Sequence, residues 1–243
     1  MRIPGVGEKH FYRPRAGVKN NFTIKHRHCN IAVSSDADVE GECRANLPLI
    51  YDEVEERVLT DKLFAESLLP VESDDGAAPV VKNMIEAGRA AGTGPMAAVA
   101  GAIAEALFRS VKTPYGTLII ENGGDIFASS RSDVICGLYT GSSFDKFALK
   151  IRKALLPCAI SSSSSEIGHS LSFGRARLAV VIAPSGAVSD AFATALANRI
   201  QSERDLENAV NGIADSPYIT GCAAIINDKI AFAGDIEFTE IKY

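Results

Sequence analysis

The chain has 243 residues, 47% hydrophobic and 23% charged, which is enough apolar material for one large core or two small ones. A formal net charge of -5 with no cluster of Lys and Arg argues against a nucleic-acid or anionic-membrane surface, because counterion release needs clustered cations. Five scattered cysteines without a CxxC pair argue against a disulfide frame or a cysteine zinc site; with no leader-like apolar region and no run of about 18 apolar residues, a cytoplasmic protein with reduced thiols is expected.

In chain order, residues 11–39 read as strands, since FTIKHRHCNIAVS alternates and carries β-branched residues before a polar turn. His26, His28 and Cys29 admit a metal reading there, but no third ligand is visible and a solvated strand face is favoured. From Asn46 to Leu69 apolar residues recur at helical spacing until Pro70, and VVKNMIEAGRAAG is a second helix closing at Gly92. A third helix opens at Pro95. Between Met96 and Leu107 only Glu105 breaks a run of apolar, mostly Ala and Gly residues, so this helix must lie buried with other backbone pressed close to it.

TLII, ENGGD and IFAS then predict two strands about a Gly-Gly turn, which brings backbone amides together with the carboxylates of Glu121 and Asp125. RSDVICGLYTG reads as a strand, SFDKFALKIRK as a strand or short helix, and ISSSSSEIGHSLSFG as a polar loop. LAVVIA is a buried strand, and DAFATALANRI a small-residue helix with Ser189 as N-cap. The end of the chain reads as CAAII, an Asn227-Asp228 turn, KIAFAGD and IEFTEI. A small-residue helix therefore precedes a strand-turn-strand twice, in order and chemistry rather than in residue identity. The pattern predicts an α+β fold of antiparallel sheets backed by helices, one domain over 1–243 with pseudo-repeat halves near 1–130 and 131–243.

Three places can carry chemistry. Asp190 and Thr194, one helical turn apart, present hard oxygens on one face and together suit Mg²⁺; the alternative is that Asp190 complements the helix dipole and Thr194 bonds back to a carbonyl. The serine-rich loop from Ser161 to Gly174, with Ser164, Ser165, Gly168 and His169, offers donors for a diphosphate or is a plain polar loop. At ENGGD, Glu121 and Asp125 suit a ribose or a metal and Asn122 a base edge, while Gly123 and Gly124 equally suit a tight turn. GxGxxG, GxxxxGK[ST] and GxSxG are all absent, which disfavours the usual dinucleotide, P-loop and α/β-hydrolase sites.

On FAESLLPV, GPMAAVAGAIAE, ENGGDI, SSEIGHSLSFG and SDAFATALAN, the chain resembles the ApbE-like superfamily, and more closely its uncharacterised soluble subfamily. The resemblance implies a T-fold-related architecture and a Mg²⁺-dependent FAD:protein FMN transferase, with Mg²⁺ and FAD or FMN as cofactors. It implies a nucleotide and an acceptor protein bearing a Thr or Ser hydroxyl as partners. It makes Asp190 and Thr194 magnesium ligands, places a carbonyl ligand near Met96 and Ala97, and leaves His169 as the best candidate for the general base. The family's flavin-contacting Lys has no counterpart, because no Lys lies between Lys82 and Lys112. The alternative is a non-catalytic nucleotide-binding or accessory protein of the same fold, linked to sulfur assimilation. The oligomeric state, homo-oligomer included, is left open by the sequence.

Overall fold

The computed structural model describes residues 18–138, 143–164 and 174–240. A hairpin of β1 (Asn20–His26) and β2 (Cys29–Ser35) leads into α1 (Glu40–Thr60), α2 (Lys62–Glu66) and α3 (Pro79–Ala91). A 3-10 turn, Pro95–Ala98, runs into α4 (Val99–Ser110), followed by a second hairpin, β3 (Leu118–Asn122) and β4 (Asp125–Ser129). Next come β5 (Val134–Gly137), β6 (Phe147–Ile151), β7 (Cys158–Ser163) and β8 (Leu178–Ala183). The chain ends with α5 (Gly186–Arg199), α6 (Leu206–Ala214), β9 (Gly221–Ile226), β10 (Lys229–Gly234) and β11 (Phe238–Glu240).

Eight strands form one antiparallel sheet in the order β1-β2-β3-β4-β7-β8-β9-β10, and β11, β6 and β5 form a small second sheet. Each half of the large sheet is two strands, a helical connection and two more strands, so the expected α+β duplication is present in the topology. Side chains alternate across the pleat. Ile31, Ile120, Phe127 and Val181 face the helices, while Ile119, Ile126, Ile160 and Val180 face Leu149 and Ile151 of the small sheet. Among the described residues no single helix is long and apolar enough to cross a membrane.

Several elements differ from expectation for local reasons. The first long helix starts at Glu40, carries Pro48 inside it, and is interrupted at Asp61. The Asp61 carboxylate accepts from the Leu63 and Phe64 amides at 3.0 and 3.1 Å and restarts the chain as α2. The helix expected to open at Pro95 begins there only as a 3-10 turn. SFDKFALKIRK is both alternatives in turn, a 3-10 turn at Ser143–Lys146 and then β6. The serine run is not all loop, for Ser161, Ser162 and Ser163 belong to β7. Ser189 is not the N-cap of α5: the helix starts earlier, capped at Ser185, and the Ser189 hydroxyl donates to the Val181 carbonyl at 2.7 Å, tying α5 to β8. The amphipathic helix α6 had no counterpart in the sequence reading.

Candidate active site at a glycine crossing of two helices

Helices α4 and α5 cross where each has a glycine. A Cβ on Gly101 would stand 2.2 Å from the Gly186 carbonyl oxygen, and one on Gly186 would stand 2.2 Å from the Gly101 carbonyl oxygen, so only hydrogen fits at either place. The close approach lets a side chain of each helix accept a hydrogen bond from a first-turn amide of the other. The Gly101 N–H donates to Asp190 Oδ2 at 2.9 Å, and the Gly186 N–H donates to Glu105 Oε2 at 2.7 Å. Each carboxylate lies four residues after its own glycine, and each satisfies a donor near the start of the opposite helix. The segments GAIAEALFR and GAVSDAFAT align on these glycines, so the internal echo extends to residue identity at Gly101/Gly186, Ala102/Ala187 and Ala106/Ala191.

The two carboxylates differ in what meets their second oxygen. Glu105 Oε1 receives Nε and Nη2 of Arg109, both at 2.7 Å, while Oε2 also accepts from the Ser185 hydroxyl at 3.0 Å. Glu105 is thus closed by a cation from its own helix. In the aligned place on α5 stands Thr194, a buried hydroxyl, and Asp190 keeps part of its surface accessible. Asp190 nevertheless sits deep among protein atoms: burial pushes its carboxyl up to about 7, although the Gly101 and Ala100 amides pull the other way.

The large sheet supplies the facing wall. Asn122, on the helix-facing side of β3, donates from Nδ2 to the Ala100 carbonyl at 3.1 Å and fixes the turn of α4 that holds Gly101. Asp125 opens β4 on the same face. The pairing of Ile126 with Ile160 and Phe127 with Ala159, extended by one residue, sets Asp125 beside Ser161. Asp125 is 5% exposed and its Oδ1 makes no hydrogen bond. Burial, and next the negative charge of Asp190, hold its carboxyl well above the usual range. The Ser161 hydroxyl stands close enough to draw it down, yet has no hydrogen bond of good geometry, and the buried Ser163 hydroxyl, next along that face, has none either.

The structure therefore brings together Asn122, Asp125, Asp190 and Thr194, with Ser161 and Ser163. Met96 and Ala97 lie partly exposed in the 3-10 turn leading into α4. Glu121 goes elsewhere: it pairs with Ile126 on the opposite face of the sheet, and its Oε1 accepts from the Gly124 amide at 2.9 Å, a hydrogen bond that holds the turn. Gly123 and Gly124 have φ of 66° and 107°, so turn chemistry by itself accounts for both glycines. The Ser164 hydroxyl donates to the Arg177 carbonyl at 2.7 Å. Ser165, Gly168 and His169 lie outside the described residues.

Elsewhere, His26 meets Tyr51 edge-on at 5.2 Å and His28 sits exposed in the β1–β2 turn, and among the described residues no group of three or more His, Cys, Asp or Glu is placed to hold a metal. All five cysteines are buried and free. Burial pushes Cys136 and Cys158 up to about 12, so neither offers a thiolate.

The sequence profile of the AbpE bacteria family matches residues 13–230. The chain is 38% identical over 191 residues to a UPF0280 protein of Methanocaldococcus jannaschii, covering 76% of this chain and 78% of that one. It is 34% identical over 238 residues to a UPF0280 protein of Methanocella arvoryzae, covering 96% and 92%. The fold is similar to that of the flavin transferase ApbE from Vibrio cholerae, with a TM-score of 0.58 at 10% identity over 91% of this chain and 96% of that one. It is also similar to the Pseudomonas stutzeri flavinyl transferase ApbE in its apo form, with a TM-score of 0.56 at 12% identity over 88% and 93%. Sequence and fold agree: the chain belongs to the AbpE bacteria family, with UPF0280 proteins among its relatives and ApbE flavin transferases sharing its fold.

Proposed function

We propose that the chain is a Mg²⁺-dependent enzyme of the ApbE type, which splits the diphosphate of FAD or a related nucleotide and passes the flavin phosphate to a hydroxyl of an acceptor protein. One observation carries the reading: at Glu105 the free carboxylate oxygen is neutralised by Arg109, whereas at the matching Asp190 the helix offers a second hard oxygen, Thr194, in place of a cation. The donors gathered there are oxygens only, which suits Mg²⁺ rather than a softer ion. Bound at Asp190 and Thr194, Mg²⁺ supplies charge neutralisation for a diphosphate.

The chain's own residues prepare that place. The Gly101 amide fixes Asp190 Oδ2, and the Ala100 amide also draws on this carboxylate, so its position at the crossing is set by backbone. Asn122 holds the first turn of α4 in register with it. From the family resemblance, the turn at Met96 and Ala97 would offer the ion a backbone carbonyl, and His169 is the general base. The lack of a Lys between Lys82 and Lys112 supports a second reading, a nucleotide-binding accessory protein without turnover.

Incubation of the purified protein with FAD and Mg²⁺, with AMP release followed by chromatography, separates the two. Release that disappears in Asp190→Ala supports the enzyme. FAD binding without AMP supports the accessory role, and failure to bind both Mg²⁺ and FAD removes both readings.

A further inference from the structure

The proposed site contains a second carboxylate whose surroundings are unfinished. Asp125 lies on the helix-facing side of β4, is 5% exposed, and leaves Oδ1 without a hydrogen bond. A buried polar atom with no partner is costly to keep, and native interiors rarely keep one unless something else completes it. Ser163, on the same face of the neighbouring strand, also buries an unbonded hydroxyl. Asp125 feels the negative charge of Asp190 across the gap between sheet and helix. Two carboxylates facing each other in a poorly hydrated space need a proton or a cation between them.

The molecule shows how it treats such a carboxylate elsewhere. Both oxygens of Glu105 are fully engaged, one by backbone and hydroxyl donors and the other by Arg109. Asp125 keeps Oδ1 unbonded, and Asp190 across the gap is met by backbone amides with no cation beside it. A divalent cation accepts one or two carboxylates together with hydroxyl and water oxygens, so this set has the composition that such an ion takes.

Building on the proposed function, we infer that Asp125 is a further side-chain ligand of the divalent cation held by Asp190 and Thr194, with the buried serine face of β7 as the wall of that site. Asp125 then belongs to the metal and not to the ribose of the nucleotide.

The test is Mg²⁺ titration by calorimetry, with melting temperatures recorded with and without Mg²⁺, for the wild type, Asp125→Asn, Asp125→Glu and Asp190→Asn. Asp125→Asn is expected to weaken Mg²⁺ at least about tenfold, the scale on which ligand-shell changes act, and to raise the melting temperature of the metal-free protein by removing the repulsion. Asp125→Glu, which keeps the charge, recovers part of the affinity. If Asp125→Asn binds Mg²⁺ within twofold of the wild type while Asp190→Asn loses it, Asp125 is not a ligand and the proposed function stands. A metal-free Asp125→Asn that melts lower, with affinity intact, assigns Asp125 a structural role and likewise overturns the inference. A wild type that binds no Mg²⁺ removes both.

Discussion

Replacing Gly101 by alanine tests the helix crossing that creates the site. The new Cβ would stand 2.2 Å from the Gly186 carbonyl oxygen and 2.8 Å from Asp190 Cβ, whereas ordinary contact begins at 3.4 Å. The obstruction is backbone, so α4 and α5 must separate by about an ångström. That motion stretches the Gly101–Asp190 and Gly186–Glu105 hydrogen bonds together, since both cross the same gap. Overpacking costs about 1–3 kcal/mol. Each hydrogen bond to a charged group contributes about 1.5–3 kcal/mol, and the gain in helix propensity over glycine returns about 1 kcal/mol. With both bonds lost the net loss is about 3–8 kcal/mol, which at about 2–4 °C per kcal/mol for a chain of this size lowers the melting temperature by about 6–30 °C. Gly41→Ala is the control, because a Cβ there meets nothing within 4 Å; it should leave stability unchanged or raise it by up to about 1 kcal/mol. Thermal unfolding followed by circular dichroism measures both. A Gly101→Ala protein within about 1 kcal/mol of the wild type would refute the reasoning, since the crossing would then have slack that the contact distances deny.

Three further outcomes follow from the same geometry. The carboxyl of Asp190 is raised to about 7 in the folded chain against an ordinary value of 3.8, so the folded state favours the protonated form. Its contribution to stability is complete below about pH 4 and is lost as pH rises through about 7, and Asp125 acts in the same direction. The metal-free protein should therefore melt higher at pH 5 than at pH 8, and saturating Mg²⁺ should flatten that slope; melting curves across this range decide it. Glu105→Ala strands the Gly186 amide and releases Arg109, which should cost about 2–3 kcal/mol by urea denaturation, with Glu105→Gln recovering part through its amide oxygen. Finally, no cysteine should react with Ellman's reagent at pH 7.5 in the native protein, and all five should react in urea, because each thiol is buried.

The fold was legible wherever periodicity and punctuation agreed. Ala and Gly between Met96 and Leu107 announced a helix with backbone against it, and Gly186 of α5 is that backbone. ENGGD announced a turn, and the positive φ of Gly123 and Gly124 is that turn. Asp190 and Thr194 at helical spacing were visible as a pair. The wall opposite them was not. Serines are poor indicators of strand, so the run from Ser161 read as loop, although alternation in β7 turns Ser161 and Ser163 towards the helices. Glu121 and Asp125 looked equivalent in the hairpin, yet they stand four residues apart across a two-residue turn, which sends them to opposite faces of the sheet. Glu105 stood out only as an interruption; aligning GAIAE with GAVSD on their glycines would have exposed its kinship with Asp190.

The join between β4 and β7 has one more implication. Among the described residues it is the only place where the two halves of the large sheet pair with each other, and it does so through three residue pairs, against seven between β1 and β2. Asp125 belongs to one half and Asp190 to the other, so whatever occupies the space between them also stitches a short seam. Occupancy should thus be read in the backbone of that seam, as slower amide exchange at Phe127 and Ala159, making the protein's stiffness a gauge of whether it is loaded.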